Sequence, residues 1–338
     1  MGRAFLRVFL VALPIVVMTA TLLTSTRQGN LAVDFRTVSP EIRGLIRGDN
    51  PYLTEGLANG GHFLWTITSG WVLAPLAWMP GGYVAMAILE VVALIGALRL
   101  LGVRDWRCYA LALAWPATVN SVQTANLTLP LVLLLAAAWA DHDRSRSRAG
   151  LYIGLAVAMK LFLWPTLIWL AATRRWKALC IAAAIQAITL AMTLPYISLP
   201  DYLRFERYVA DVFAPDSLTL AAALHDLGLP MGQARLITLT LGIAVIWFGR
   251  RDLGWLSIAA LIVSPVVWLH YFDLFDLLLI PLAIWRPPIW VWCVPFLFIV
   301  APGMGNGTQL QTIGALAALA ATITCARLTL DSKPMVTA

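Results

Sequence analysis

Charged residues are scarce in this sequence. Of its 338 residues only 12% are Asp, Glu, Lys or Arg, whereas 60% are hydrophobic, and the mean hydropathy is +0.80. A water-soluble domain carries roughly twice that charged fraction. Soluble, disordered and collagen-like chains are therefore excluded, and the composition indicates a protein that crosses a membrane several times.

Cysteine chemistry and nucleotide-binding motifs are also missing. The four cysteines occur singly in apolar stretches, with no CxxC pair: Cys108, Cys180, Cys293 and Cys325. Buried, unpaired cysteines of this kind act as small hydrophobic residues, so neither a disulfide framework nor a zinc site is predicted. The sequence contains no Walker A motif and no Gly-rich dinucleotide fingerprint.

The basic residues are present in excess, with a net charge of +7, and they cluster between apolar runs. Sixteen of the 24 Lys and Arg residues fall in seven clusters that the positive-inside rule places on the cytoplasmic side. We interpret Phe5 to Leu23 as an uncleaved first span with a cytoplasmic N-terminus. Topology therefore explains the charge, and no nucleic-acid partner is predicted.

This orientation leaves two sizeable outer segments, residues 24–62 and 197–230. Each contains an amphipathic stretch. The first is predicted to begin at Ser39-Pro40 and to place on one face Val38, Ile42, Leu45 and Ile46. The second is predicted to place on one face Phe205, Tyr208, Val209, Val212 and Phe213. Such helices either lie in the membrane interface or pack on the helix bundle, and the pattern favours both equally.

Two hydrophobic segments are too short to cross a membrane. Twelve residues separate Arg107 from the polar run that begins at Asn120, which is about 18 Å of helix against about 30 Å of hydrocarbon. Nine residues separate Gly150 from Lys160, about 14 Å. We predict two helical hairpins that enter from the cytoplasm and whose polar tips line a water-filled cavity open to the outside.

The alternative is a single span over residues 150–173 with Lys160 at its centre. It would place the flanking basic clusters on opposite sides, so we favour the hairpins. The run from Phe63 to Met79 is either a short span or a re-entrant segment, and the parity of the clusters favours the latter. The predicted fold is thus one all-α membrane domain over residues 1–338, with about 10–12 transmembrane or half-membrane helices.

Three side chains stand out as candidates for chemistry. Lys160 lies in an apolar run, where an ammonium is costly unless it faces water, an anion or an acid such as Glu90. Asp34 lies in apolar company soon after the first span, with Arg36 nearby to keep it ionised, and is a candidate general base. His270 can donate to an anion or carry a proton. Asp273 and Asp276 share one helix face, which fits a cavity, a cation or an arginine partner.

The order of these features resembles the GT-C superfamily of integral-membrane glycosyltransferases, and most closely glycosyltransferase family 87. The resemblance rests on three stretches: Asp34 to Tyr52 with Gly-Asp-Asn-Pro-Tyr at 48–52, Ala149 to Trp176 including Lys160 and Pro165, and Ser264-Pro265 with Trp268 and His270. One departure is Val122-Gln123-Thr124-Ala125-Asn126, which lacks the glycine of the family's Gly-Gln-x-Asn pattern.

The resemblance implies an inverting transfer of a hexose, such as mannose, from a polyprenyl-phosphate donor to a lipid or glycan acceptor. Asp34 would be the base, and the donor phosphate would contact Lys160, His270 and Arg36. The expected substrate contacts are Tyr52, Gln123, Asn126 and Tyr271. No metal and no cofactor besides the lipid-linked donor is expected, and the site would face the outer, periplasmic side of the inner (plasma) membrane.

Two other functions fit an apolar chain with an intramembrane charge. A transporter or lipid flippase also uses discontinuous helices, but its short segments usually recur in two symmetric halves. Here both short hairpins lie between residues 107 and 173, with no counterpart in the C-terminal half. A structural subunit would not require Lys160. The enzyme hypothesis is therefore favoured.

Overall fold

The computed structural model describes residues 2–52, 65–141 and 147–275, with residues 292, 293, 295, 296 and 314. Within these ranges every regular element is helical. The predicted all-α, polytopic membrane fold is confirmed. The expectations for Asp276, Arg286, Cys325 and the C-terminal basic residues fall outside the described residues.

The described helices follow one another with short connections. In chain order they are α1 Gly2–Arg27, α2 Val33–Arg47, α3 Ile67–Trp78, α4 Gly82–Leu100, α5 Trp106–Ala114, α6 Pro116–Thr124, α7 Thr128–Ala140, α8 Arg148–Met159, α9 Pro165–Ala172, α10 Trp176–Thr193, α11 Leu199–Phe213, α12 Leu220–Asp226, α13 Met231–Gly249 and α14 Leu253–Val263. Two 3₁₀ segments lie at Leu161–Leu163 and Leu269–Phe275.

By length and apolar composition together, few of the described helices qualify as membrane spans. Within the described part of the chain, α4, α10 and α13 are long and apolar enough, and α6 with α7 adds a fourth if that pair, bent by 117°, counts as one. The others include α3, α8 and α14, with 11 or 12 residues each. Of the two segments that the sequence predicted to be too short to cross, the first contains most of α5, which has 9 residues, and the second is covered by α8, with 12 residues.

Close packing fixes α8 against α10. A Cβ on Gly150 would lie 2.1 Å from the carbonyl oxygen of Ala178, and one on Gly154 would lie 2.9 Å from the Cα of Ala182. Two glycines four residues apart give α8 a bare stripe, and two alanines give α10 another. The backbones therefore touch, and the C-terminal end of α8 at Lys160 has a fixed position.

The first amphipathic helix begins earlier than predicted. The sequence placed its start at Ser39-Pro40, but α2 begins at Val33, and Pro40 lies inside it. The prediction was wrong because the apolar face continues towards the N-terminus through the buried Phe35. Of the predicted face, Val38, Ile42 and Leu45 are buried and Ile46 is half-buried, so α2 packs its apolar side on the bundle.

The second amphipathic helix, α11, buries only part of its predicted face. Phe205 is buried and Val209 and Phe213 are half-buried, but Tyr208 and Val212 are 44% and 45% exposed. The five residues span a wider arc than the contact with the bundle covers. The side of α11 that carries Val209 and Phe213 lines a cavity described below.

Candidate active site

The chain breaks its helical path between α6 and α7, at Ala125-Asn126-Leu127. Ala125 and Leu127 both have positive φ values, 55° and 68°. The left-handed region costs a residue with a Cβ roughly 1–2 kcal/mol, so the surrounding structure must hold this turn. The polar run was predicted as a hairpin tip, but Asn120 to Thr124 are helical within α6, and Asn126 is the polar residue of the run that lies in the turn.

Glu90 holds this turn from α4. Its carboxylate accepts hydrogen bonds from the backbone N–H of Leu127, at 2.7 Å, and of Leu129, at 3.0 Å. These are donors of the first turn of α7, which have no partner inside their own helix. Glu90 is fully buried. It therefore caps α7 from a neighbouring helix, whereas the sequence considered it only as an acid to pair with Lys160.

The second break in helical structure is at Lys160, directly after α8. Lys160 is extended, with φ −146° and ψ 111°, and a 3₁₀ turn follows. Hydroxyl groups satisfy the last carbonyls of α8: Ser69 donates to the carbonyl of Met159 at 2.6 Å, and Thr66 donates to that of Ala158. Buried carbonyls at a helix end need such donors, so the start of α3 stabilises the break.

The two breaks place Lys160 and Asn126 in contact. The Lys160 Nζ donates to the side-chain oxygen of Asn126, and the Asn126 amide nitrogen donates to the Oδ2 of Asp34. This orientation of the amide satisfies both neighbours, because an ammonium only donates and a carboxylate only accepts. Asn126 and Lys160 are buried and Asp34 is half-buried. A cation and an acid are thus joined through one amide.

Asp34 is brought to this position by the start of α2. The backbone N–H of Ala32 donates to the carbonyl of Gln123 at 2.7 Å, which ties the first turn of α2 to the end of α6. Desolvation raises the pKa of Asp34 above its ordinary value, while the Asn126 hydrogen bond and the Lys160 charge act in the opposite direction. A more basic carboxylate with one oxygen hydrogen-bonded is suited to accepting a proton.

Lys160 also contacts Tyr271. Its Nζ donates to the Tyr271 hydroxyl at 3.2 Å and lies 4.3 Å from the centre of that ring. Phe162 stacks on the Tyr271 ring, with the ring centres 4.6 Å apart and the planes 2° from parallel. The ammonium therefore has an amide and an aromatic ring as neighbours in place of water.

A cavity of about 250 Å³ opens beside Lys160 and Tyr271. Its wall is largely aromatic and apolar, with one further acid contributed by α11. The lining includes Trp65, Trp164, Trp268, Phe213 and Glu206. A mostly apolar cavity with a few convergent polar groups is the usual form of a ligand site. Lys160 lines it and Asp34 does not, so the Asn126 bridge connects the cavity to the carboxylate.

The family model described as "Glycosyltransferase family 87" matches residues 63–272, more than half of the chain. The chain belongs to glycosyltransferase family 87. It is therefore a membrane glycosyltransferase. No curated protein and no solved structure matches it. The matched residues include Asn126, Lys160 and Tyr271, and Asp34 lies N-terminal to them.

His270 of this family 87 chain forms no hydrogen bond with Lys160 within the described residues, although both residues were predicted to bind phosphate. The Nδ1–H of His270 donates a hydrogen bond to the side-chain oxygen of Asn120 at 3.1 Å. The ring is buried edge-on to Tyr271, with centres 4.8 Å apart, and its Nε2 is buried without a hydrogen bond within the described residues. His270 supports α6 and Tyr271 in the structure as it stands.

Tyr52 and Arg36 are further from the bridge. The Tyr52 hydroxyl donates to the carbonyl of Trp65 at 3.2 Å, and its ring packs against Phe205 of α11. The exposed Arg36 donates to the carbonyl of Gly29 at 2.5 Å and lies over the Tyr83 ring. In the described part of the chain Arg36 forms no ion pair with Asp34. The structure therefore joins four of the predicted site residues, listed here: Asp34, Asn126, Lys160 and Tyr271.

Several groups that support the family 87 site were not predicted from the sequence, and for Asp273 the predicted partners were a cavity, a cation or an arginine. Asp273 accepts from the hydroxyl of Thr118 at 3.0 Å and from that of Ser121, so its partners are in α6. Glu206, Thr66 and Ser69 had no distinguishing spacing, and hydroxyl pairs of this kind are common in apolar helices. Across the residues that the structure describes, no three His, Cys, Asp or Glu side chains are grouped closely enough to hold a metal ion.

Proposed function

We propose that this glycosyltransferase moves a hexose such as mannose from a polyprenyl-phosphate donor to a hydroxyl group of a lipid or glycan acceptor. The observation that carries the proposal is the Asn126 bridge between the Lys160 ammonium and the Asp34 carboxylate. A phosphate leaving group needs a cation, and an attacking hydroxyl needs a base. The bridge supplies both within one hydrogen-bonded chain.

In the proposed reaction the acceptor oxygen attacks the anomeric carbon of the donor sugar. The bond from that carbon to the phosphate oxygen breaks, and the electron pair leaves with the polyprenyl phosphate. Asp34 takes the hydroxyl proton as the new bond forms. Lys160 stabilises the charge that grows on the departing phosphate. A single displacement of this kind inverts the anomeric configuration.

The cavity supports a division of the two substrates. Lys160 and Tyr271 lie in its wall, and Trp65, Trp164 and Trp268 offer flat apolar surfaces for a sugar face or an isoprenoid chain. We assign the donor to the cavity, with its phosphate at Lys160. The acceptor then approaches from the side of Asp34, beyond the Asn126 bridge.

The experiment is transfer of radiolabelled mannose from polyprenyl-phosphate mannose in membranes that contain the protein. Asp34→Asn keeps the shape and removes the base, and Lys160→Met keeps the length and removes the charge, so each should reduce transfer at least about 10²-fold. Matched controls are the exposed Asp49→Asn, in the same outer segment, and the exposed Lys177→Met. Transfer that survives in Asp34→Asn and Lys160→Met would contradict the assignment.

The choice of sugar and the need for metal are tested in the same assay. Polyprenyl-phosphate glucose or arabinose in place of the mannose donor identifies the sugar from its relative rate. Since Lys160 supplies the positive charge beside the leaving group, we expect transfer to persist in EDTA. Loss of transfer in EDTA that returns with a divalent cation would overturn that expectation.

We further propose that the chain lies in the plasma (inner) membrane with its N-terminus in the cytoplasm and the active site facing outwards. The α13–α14 connection carries Arg250 and Arg251, and the α11–α12 connection carries Asp216. Asp216→Cys should react with a membrane-impermeant maleimide in intact cells, and Arg251→Cys only after permeabilisation. The reverse pattern would invert the orientation. The wild-type chain gives the background from its native cysteines.

A further inference from the structure

We propose that Glu90 is a positioning residue of this enzyme, which holds Asn126 between Asp34 and Lys160. The inference rests on the proposed function, because it assigns a purpose to the bridge that Asn126 makes. Glu90 contacts neither Asp34 nor Lys160 through a hydrogen bond within the described residues. It acts on Asn126 through the backbone of the turn, and its charge also interacts with that of Lys160.

The turn around Asn126 has a strained backbone. Asn126 lies between two residues with Cβ atoms in the left-handed region, Ala125 and Leu127. Unusual backbone angles of this kind persist where neighbouring groups over-determine them, and they concentrate at functional sites. Glu90 accepts hydrogen bonds from the backbone amides of Leu127 and Leu129, one and three residues after Asn126. Glu90 thus stabilises the conformation that presents the Asn126 side chain.

Burying the carboxylate of Glu90 carries a desolvation cost. A fully buried carboxylate is retained only where hydrogen bonds compensate its desolvation. An ordinary cap needs only a short polar side chain at the end of its own helix. Here the cap comes from the middle of α4, 37 residues before Leu127. This arrangement locks α4, α7 and the turn together at the depth of the Asn126 bridge.

The helix before the turn, α6, is held by groups other than Glu90. Asp273 accepts from Thr118 and Ser121, and the N–H of Ala32 reaches the carbonyl of Gln123. The helix before the turn is therefore fixed by other groups. Among the described residues, the backbone amides that donate to Glu90 are those of Leu127 and Leu129, so removal of its carboxylate should free the turn and leave α6 in place.

The test compares Glu90→Gln with Asp252→Asn. Gln keeps the size of Glu90 but points an NH₂ group at one of the two backbone donors. Asp252→Asn is the control for removing the charge of a capping carboxylate, because one oxygen of Asp252 accepts from two backbone amides at the start of α14, at 2.8 and 3.3 Å, away from the bridge. Glu90→Gln should reduce kcat about tenfold or more, since small misplacements of reacting groups are costly. Asp252→Asn should keep the wild-type kcat.

Three readouts separate positioning from general instability. Amide hydrogen exchange should accelerate at Leu127 and Leu129 in Glu90→Gln and stay slow in α6. The acid limb of the rate profile should move to higher pH, because a weaker Asn126 hydrogen bond raises the pKa of Asp34 further. In the Asn126→Ala background, Glu90→Gln should cause almost no additional loss, since both changes remove the same interaction.

The outcomes are distinct. Wild-type turnover in folded Glu90→Gln, an unmoved acid limb, or losses that multiply with Asn126→Ala would each overturn the proposal. Slow exchange at Leu127 and Leu129 in Glu90→Gln would overturn it without any activity measurement. If the wild-type protein transfers no sugar, the proposed function fails, while the exchange data still decide whether Glu90 holds the turn.

Discussion

The two helix breaks of this site face opposite problems and use opposite chemistry. At Asn126 the groups without a partner in their own helix are the backbone donors at the start of α7, and the carboxylate of Glu90 accepts from them. At Lys160 they are the carbonyls at the end of α8, and the hydroxyls of Thr66 and Ser69 donate to them. Each end of a helix is matched by the complementary kind of group.

The comparison teaches how a polar site is built in an apolar bundle. Interrupted helices release backbone groups that lipid cannot satisfy, so each break needs a dedicated partner from another helix. Because the partners are different residues, each break can be loosened separately. Three sets of substitutions test this independence.

Removing both hydroxyls at the Lys160 break should have the largest effect on stability. Thr66→Val with Ser69→Ala leaves the carbonyls of Ala158 and Met159 without these donors, and each unpaired buried group costs about 1–3 kcal/mol. The apparent Tm of the purified protein in detergent should fall clearly. Each single variant should fall less. An unchanged Tm in the double variant would show that water or another group satisfies these carbonyls.

Adding a methyl group at Gly150, behind the Lys160 break, should have a smaller but clear effect on stability. Gly150→Ala forces a Cβ to within 2.1 Å of the Ala178 carbonyl oxygen, so α8 and α10 must separate. Overpacking of this kind costs about 1–3 kcal/mol. The apparent Tm should drop.

Gly96→Ala is the matched change behind the Asn126 break. Its Cβ would approach only the flexible Cδ1 of Leu133, at 3.2 Å. It should leave the Tm nearly unchanged, so equal losses in Gly150→Ala and Gly96→Ala would contradict the packing difference.

The smallest effect is expected at Thr128, the first residue of α7. Its hydroxyl is buried without a hydrogen bond within the described residues, although it lies beside the amides that Glu90 accepts. Thr128→Val should change the Tm little or raise it, because an unsatisfied polar atom is removed. A clear loss of stability would show that this hydroxyl, and not Glu90 alone, supports the turn.

The charged residues were the most informative part of the sequence. Lys160 was identified from the cost of an ammonium in an apolar run, and the short segments around it were recognised from helix length alone. Asp34 was selected by family resemblance more than by its surroundings. The family itself is confirmed over residues 63–272.

The partners of these residues were less accessible, for a physical reason. The residues that form the bridge are 92 positions apart in one contact and 34 in the other. Contacts at such separations depend on how helices pack, and packing here follows small residues such as Gly150 that carry no chemical signal. His270 illustrates the limit, because its predicted phosphate role gave no sign that it would contact Asn120.

The sequence alone was sufficient to predict the lipid environment, the helical class, the presence of incomplete helices and a lysine within an apolar run. Those properties follow from composition and from the length of apolar runs, which are local quantities. Only the tertiary structure decided that Asn126 joins Lys160 to Asp34 and that Glu90 holds the turn. These choices depend on which backbone groups are left unpaired at each helix break, and only the packed bundle defines the side chains that reach them.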